Sequence, residues 1–112
     1  MSFGKNILMS IQEGKMGKTK SYKKTLIERL KNPKEAAAYL NAALDDDDLR
    51  VFLVALRDVA EAHGGISHLA KASNLNRESL YRTLSKQGNP TILNLFHILD
   101  SLELELSIKP AI

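Results

Sequence analysis

The chain has 112 residues, a net charge of +3 and no cysteine. This length is enough for one domain. The absence of cysteine excludes a disulfide framework, a thiolate nucleophile and a cysteine-based zinc site. No apolar run approaches the roughly 20 residues that span a membrane, and the N-terminus has too few apolar residues for a secretory signal. We therefore expect a cytoplasmic protein that makes no membrane contact.

The positive charge is concentrated at the N-terminus. Residues 1–34 hold nine bases against two acids, whereas residues 35–112 hold seven bases against eleven acids. Residues 1–20 show no period and are rich in polar residues, which predicts a disordered basic arm that either contacts a polyanion or is a solvated tail. Purine-rich codons for Glu13–Lys15 also suggest a natural start at Met16. An intact mass that includes residues 1–15 would contradict that start.

Two helices are predicted in front of the central motif, after a short helix or turn in residues 22–31. Asn32 can cap a helix that runs to Leu44, with Glu35 placed to reach back to the cap. The four aspartates that follow lack the glycine and distal glutamate of a calcium loop, so one of them is expected to cap the next helix. The apolar stripe of that helix contains Leu49, Phe52, Leu53, Leu56, Val59 and Ala60. Gly64 and Gly65 end it.

Residues 66–84 carry the pattern of a helix-turn-helix. A short apolar face with the small residue Ala70 lets a second helix cross closely. Asn74 suits a left-handed turn, and Asn76 can cap the second helix. The polar residues at the start of that helix would meet base edges in the major groove. The alternative is an ordinary helical hairpin with a solvated face. The residues predicted to contact DNA are Asn76, Arg77, Glu78, Ser79, Tyr81, Arg82, Ser67, His68 and Lys86.

Helical spacing gives way to alternation at the C-terminus. A last helix is predicted after the turn at residues 88–91, with the stripe Ile92, Leu95, Phe96, Leu99 and Leu102. Leu104, Leu106 and Ile108 then alternate with polar residues, which predicts a strand over residues 103–109. A lone strand has unpaired edges, so we expect it to pair with the same strand of a second copy. It could instead fold back on its own core or pair with a strand of a toxin.

Several of these segments resemble the addiction-module antidote (antitoxin) family, a branch of the Cro/CI-type helix-turn-helix proteins. The matching segments are residues 32–44 (NPKEAAAYLNAAL), 55–60 (ALRDVA), Leu69-Ala70, 76–85 (NRESLYRTLS), 88–91 (GNPT) and the tail 104–110. Asn76 stands where a serine cap is more usual, and residues 1–21 have no counterpart in the family. The resemblance covers roughly four-fifths of the chain.

The resemblance implies a function and, with the predicted elements, a fold. The expected fold is all-α apart from one short strand. It is a five-helix Cro/CI-like helix-turn-helix domain over residues 21–112, and the C-terminal strand forms the dimer. The function is that of a type II antitoxin, a homodimer that neutralises a RelE/ParE-superfamily toxin and represses its own operon at a palindromic operator in double-stranded DNA.

We expect the toxin to bind outside the recognition helix, on the segment Tyr22–Leu44. This segment carries apolar side chains at helical spacing, which can lie on a partner or pack on the chain's own core. The residues predicted to bind toxin are Tyr22, Leu26, Ile27, Leu30 and Tyr39.

Other classes of function are weighed against this one. The three histidines lack the spacing of metal ligands, and no serine lies in a nucleophile motif. We therefore expect no enzyme activity, metal, cofactor or small-molecule ligand. Two alternatives remain, namely a stand-alone phage-type repressor and a toxin-binding module that has lost DNA binding.

Overall fold

The computed structural model describes residues 21–85 and 87–111, and the predicted basic arm and Lys86 lie outside that range. Residues 21–30 form helix α1. They are followed by α2 (Pro33–Leu44), α3 (Leu49–Ala62), α4 (Gly65–Ser73), α5 (Arg77–Thr83) and α6 (Ile92–Ser101). The described residues contain no strand, so the mainly α-helical class is confirmed. They contain six helices rather than the predicted five, because residues 21–30 form a helix of their own.

Side-chain caps fix where α2 and α3 begin, as the sequence predicts. Asn32 Oδ1 accepts a hydrogen bond from the Lys34 amide at 2.8 Å, and Asp48 Oδ1 accepts one from the Arg50 amide at 2.9 Å. Each cap satisfies a backbone donor that has no partner within its helix. The Glu35 carboxylate forms an ion pair with Arg29 of α1 at 2.9 Å. Its predicted role of reaching back to the cap is thus replaced by a link between two helices.

Helix α3 lies at the centre of the fold, where it packs against α2 on one side and α4 on the other. Leu56, Val59 and Ala60 of its predicted stripe are fully buried. The same core takes in Leu26 and Leu30 of α1 and, at the other end of the chain, Leu102. Leu49 is the exception, since it is exposed on the first turn of α3.

The buried face of α6 is rotated from the one that the sequence predicts. Ile98, which the predicted stripe omits, is 0% exposed and lies beside buried Leu99. Ile92 and Phe96, which the stripe includes, are exposed. Leu93 is exposed as well, so α6 leaves an apolar surface open. The apolar residues of this helix cover more than half of its circumference, so its packing on α4 decides which of them are buried.

Candidate nucleic-acid interface

The turn between α4 and α5 has the backbone geometry that a helix-turn-helix needs. Asn74 adopts a left-handed conformation with φ of 60° and ψ of 35°, and its amide donates to the Ala70 carbonyl at the end of α4. Asn76 is extended, and its side chain accepts a hydrogen bond from the Ser79 amide at 3.1 Å. These two asparagines stop one helix and start the next within a few residues, as predicted.

Helix α5 has one side in the core and one side in solvent. Leu80 and Leu84 are buried. The residues of α5 that are exposed are Arg77, Glu78, Tyr81 and Arg82. Ser79 differs from them, because it is half-buried and lines a crevice with Asn94 and Ile98 of α6. Four of the five predicted DNA contacts on α5 thus share an open surface, and the fifth, Ser79, faces α6.

The two predicted contacts on α4 lie near its N-terminus. Ser67 and His68 are both exposed. The His68 ring lies against Gly64, where an added Cβ would come within 2.9 Å of the imidazole Cγ. Gly64 also has a φ of +104°, which a residue with a side chain rarely adopts. The glycine therefore allows both the turn into α4 and the place of His68 above it.

Tyr81 joins α5 to a residue that sequence analysis does not single out. The Arg77 guanidinium lies over the Tyr81 ring at 5.4 Å from its centroid, and the Arg57 guanidinium of α3 lies over the same ring at 5.7 Å. Both distances are within the range of a cation–π contact. Arg57 precedes the predicted helix-turn-helix (residues 66–84), and no local pattern marks it. The packing of α3 on α4 and of α4 on α5 brings its charge to this surface.

The residues predicted to bind toxin lie mostly inside the fold. Leu26 and Leu30 are buried in the core, and Tyr22, Ile27 and Tyr39 are half-buried against it. In the free chain this segment therefore packs on the protein's own core, which is the alternative that the sequence left open. Whether any of these residues also contacts a toxin stays a prediction.

The Tyr39 hydroxyl has a partner within the protein. It donates a hydrogen bond to the buried Asp58 carboxylate at 2.8 Å. Burial and the negative charge of Asp58 raise the pKa of Tyr39 well above its ordinary value. The phenol therefore stays protonated and remains a donor that ties α2 to α3.

The C-terminal tail is anchored at its beginning and open at its end. The Leu104 amide donates to the Leu99 carbonyl at 2.8 Å, and the Leu104 side chain packs partly on the core. Leu106 is 46% exposed and Ile108 is 95% exposed. Within the described residues the tail forms no backbone ladder, so the alternating side chains are present without the second strand that a sheet requires.

Comparison with known proteins supplies a family. The family described as "Probable addiction module antidote protein" matches residues 19–110 of this chain. The chain belongs to this family. The matched range includes all six helices and most of the tail. An uncharacterized protein of Haemophilus influenzae strain Rd is 34% identical to this chain over 82 residues, which cover 73% of the chain and 84% of that relative.

No solved structure gives a significant match to this chain. In residues 21–85 and 87–111, no helix is both long enough and apolar enough to cross a membrane. Membership of the antidote family points to a regulatory or neutralising protein whose partner is a toxin.

Proposed function

We propose that this protein is a cytoplasmic DNA-binding antitoxin of a type II toxin–antitoxin module, which represses its own operon as a homodimer. The observation that carries the proposal is the surface of α5. Leu80 and the C-cap residue Leu84 hold the helix on the core. Arg77 in the capped first turn, and Tyr81 and Arg82 in the next turn, are exposed. A helix held in this way can place its N-terminal residues at base edges in the major groove.

Arg77 is the residue proposed to read a base. It occupies the first position of α5, next to the Asn76 cap, and is exposed. An arginine in the major groove can bond bidentately to the O6 and N7 atoms of guanine. Glu78, the next residue, can accept from the exocyclic amine of cytosine. Their neighbour Arg82 adds positive charge one turn later on the helix.

The experiment that tests DNA binding is a mobility-shift titration on the DNA upstream of the protein's own gene. We expect Arg77→Ala to weaken specific binding by about 1–3 kcal/mol, or roughly 5- to 150-fold. Arg50→Ala is the matched control, because Arg50 is an exposed arginine whose side chain is paired with Asp48. Equal affinities of the wild type and Arg77→Ala would remove Arg77 from the site.

The toxin is proposed to belong to the RelE/ParE superfamily. Membership of the antidote family supports a toxin partner, and the half-buried side chains of Tyr22, Ile27 and Tyr39 are the proposed contacts. Co-expression with the toxin-sized reading frame beside the gene tests this. If that product neither binds the antitoxin nor is neutralised by it, the chain is better described as a stand-alone repressor.

The homodimer is proposed to form through residues 103–109. Exposed apolar side chains at Leu106 and Ile108 support it, together with the backbone beyond Leu104, which forms no ladder within the described residues. Antiparallel pairing about a two-fold axis would cover both. The exposed Phe96 of α6 lines a crevice together with Leu104 and Leu106, so the ribbon could lie against α6. Such a dimer presents two recognition helices about one DNA turn apart, and the operator should be palindromic.

A further inference from the structure

Two arginines from different helices converge on one exposed tyrosine. Arg57 extends from α3 and Arg77 from the first position of α5, and both guanidinium groups lie over the Tyr81 ring. Tyr81 is 41% exposed, and both arginines are exposed. Two like charges so placed repel each other in the free protein, unless an anion comes between or beside them.

Cations around α1 and at the start of α3 are arranged differently, whereas Lys71 and Arg82 of the helix-turn-helix also form no ion pair within the described residues. Ion pairs join Lys23 to Glu61, Arg29 to Glu35, Lys31 to Glu28 and Arg50 to Asp48. In the part of the chain that the structure describes, neither Arg57 nor Arg77 is in an ion pair with a carboxylate. In the four ion pairs the cation is met by an acid of the protein itself, whereas these two arginines are met only by an aromatic ring.

A cation–π contact leaves a guanidinium able to bind an anion, because the N–H donors of the group are not used by the ring. Those donors match the oxygens of a phosphate, which arginine binds in a bidentate way. An arginine held over a ring also loses less rotamer freedom on binding than one that moves freely in solvent. Tyr81 thus holds the two cations where one extended polyanion can meet both.

We propose that Arg57 binds a backbone phosphate of the DNA whose bases are read by α5, with Tyr81 as its positioning residue. The proposal rests on the proposed DNA-binding function and extends its contact surface to α3. Arg57 lies beside the recognition helix rather than on it, and groups that flank a recognition helix meet the sugar-phosphate strands at the edge of the groove. Its contact therefore adds affinity without sequence preference.

The salt dependence of binding tests this assignment. Affinities are measured at several salt concentrations for the upstream DNA and for an unrelated duplex of equal length. Arg57→Gln should weaken binding to both duplexes by the same factor and lower the slope of log affinity against log salt by about 0.9, the value for one lost phosphate contact. Arg50→Gln is the control on the same helix, with the same change of charge, and its slope should equal that of the wild type.

The role of Tyr81 is separated from its size by two variants. Tyr81→Phe keeps the ring beside both arginines, so its salt slope should match that of the wild type whatever the hydroxyl contributes to affinity. Tyr81→Ala removes the ring and should weaken binding to both duplexes. Because Tyr81 is an exposed residue, both variants should retain the wild-type far-ultraviolet circular dichroism spectrum. Equal binding by Tyr81→Ala and Tyr81→Phe would overturn the positioning role.

The possible failures are distinguishable. If the wild type binds the upstream DNA and Arg57→Gln has the same slope as Arg50→Gln, the phosphate contact is wrong and the proposed function stands. If Arg57→Gln loses affinity for the upstream DNA alone, Arg57 reads a base and the phosphate assignment is again wrong. If the wild type binds neither duplex, the proposed function and this inference both fail.

Discussion

Helix α1 and the C-terminal tail both carry apolar side chains on one face, and both are predicted from sequence to meet another molecule. In the structure the leucines of α1 are buried, whereas the apolar side chains at the end of the tail are exposed. In α1, Leu30 is 2% exposed and lies in the core of its own chain. In the tail, Ile108 is 95% exposed and touches little of that core.

The difference comes from backbone hydrogen bonding. A helix satisfies its own backbone groups and needs only a surface on which to place its apolar face. Helix α1 finds that surface on the chain itself, and its polar residues strengthen the docking through the Lys23–Glu61 and Arg29–Glu35 ion pairs. A strand needs a second strand for its backbone, and the described residues offer none. Apolar periodicity thus predicts that one face of an element is to be buried. Whether the same chain can bury it depends on the element, because a strand needs a partner strand and a helix does not.

The largest expected effect tests the buried side of this comparison. Leu30→Ala should lower the free energy of unfolding by about 2–5 kcal/mol, because it removes buried methyl groups and leaves a cavity. Urea denaturation followed by circular dichroism measures the change. Leu49→Ala is the matched control, since Leu49 is 68% exposed and its truncation should change stability by no more than about 0.5 kcal/mol. Equal effects of the two variants would show that α1 does not depend on the core.

The next largest effect tests the exposed C-terminal tail. Leu106→Asp should convert the proposed dimer to a monomer in analytical ultracentrifugation, because it places a charge in the apolar face of the paired strands. Operator affinity should fall by roughly 100-fold or more as the linked second half-site is lost. Leu49→Asp makes the same change at an exposed leucine on α3 and should remain dimeric. A Leu106→Asp protein that stays dimeric and binds the full operator normally would exclude the strand-paired architecture.

The smallest effect asks whether one side chain serves both the core and the toxin. Tyr39→Phe removes the donor to Asp58 and should lower the free energy of unfolding by about 1–3 kcal/mol. If the hydroxyl acts only inside the fold, toxin binding measured well below the melting temperature should be unchanged. Tyr81→Phe, on α5 and outside the predicted toxin-binding segment, is the control for removing a phenol hydroxyl. A loss of toxin affinity in Tyr39→Phe without loss of stability would place the hydroxyl at the toxin interface.

Local chemistry made much of this fold predictable from the sequence. The caps Asn32, Asp48 and Asn76 begin their helices, and Gly64 and Asn74 adopt the left-handed conformations expected of them. Each depends on a hydrogen bond or a backbone preference within a few residues, so the sequence pattern carries the information. The exposed polar side of α5 follows in the same way, because Leu80 and Leu84 orient the helix.

Contacts between distant segments decided the rest. Ile98 is buried and Phe96 exposed because the apolar surface of α6 is wider than the face that packing covers. Arg57 reaches the candidate DNA surface because α4 packs on both α3 and α5, which places the Arg57 guanidinium over the Tyr81 ring. Ser79 is turned toward α6 although its place on α5 predicts a base contact. Sequence periodicity determines which residues share a face of one helix, but only the packing of several helices determines what that face meets.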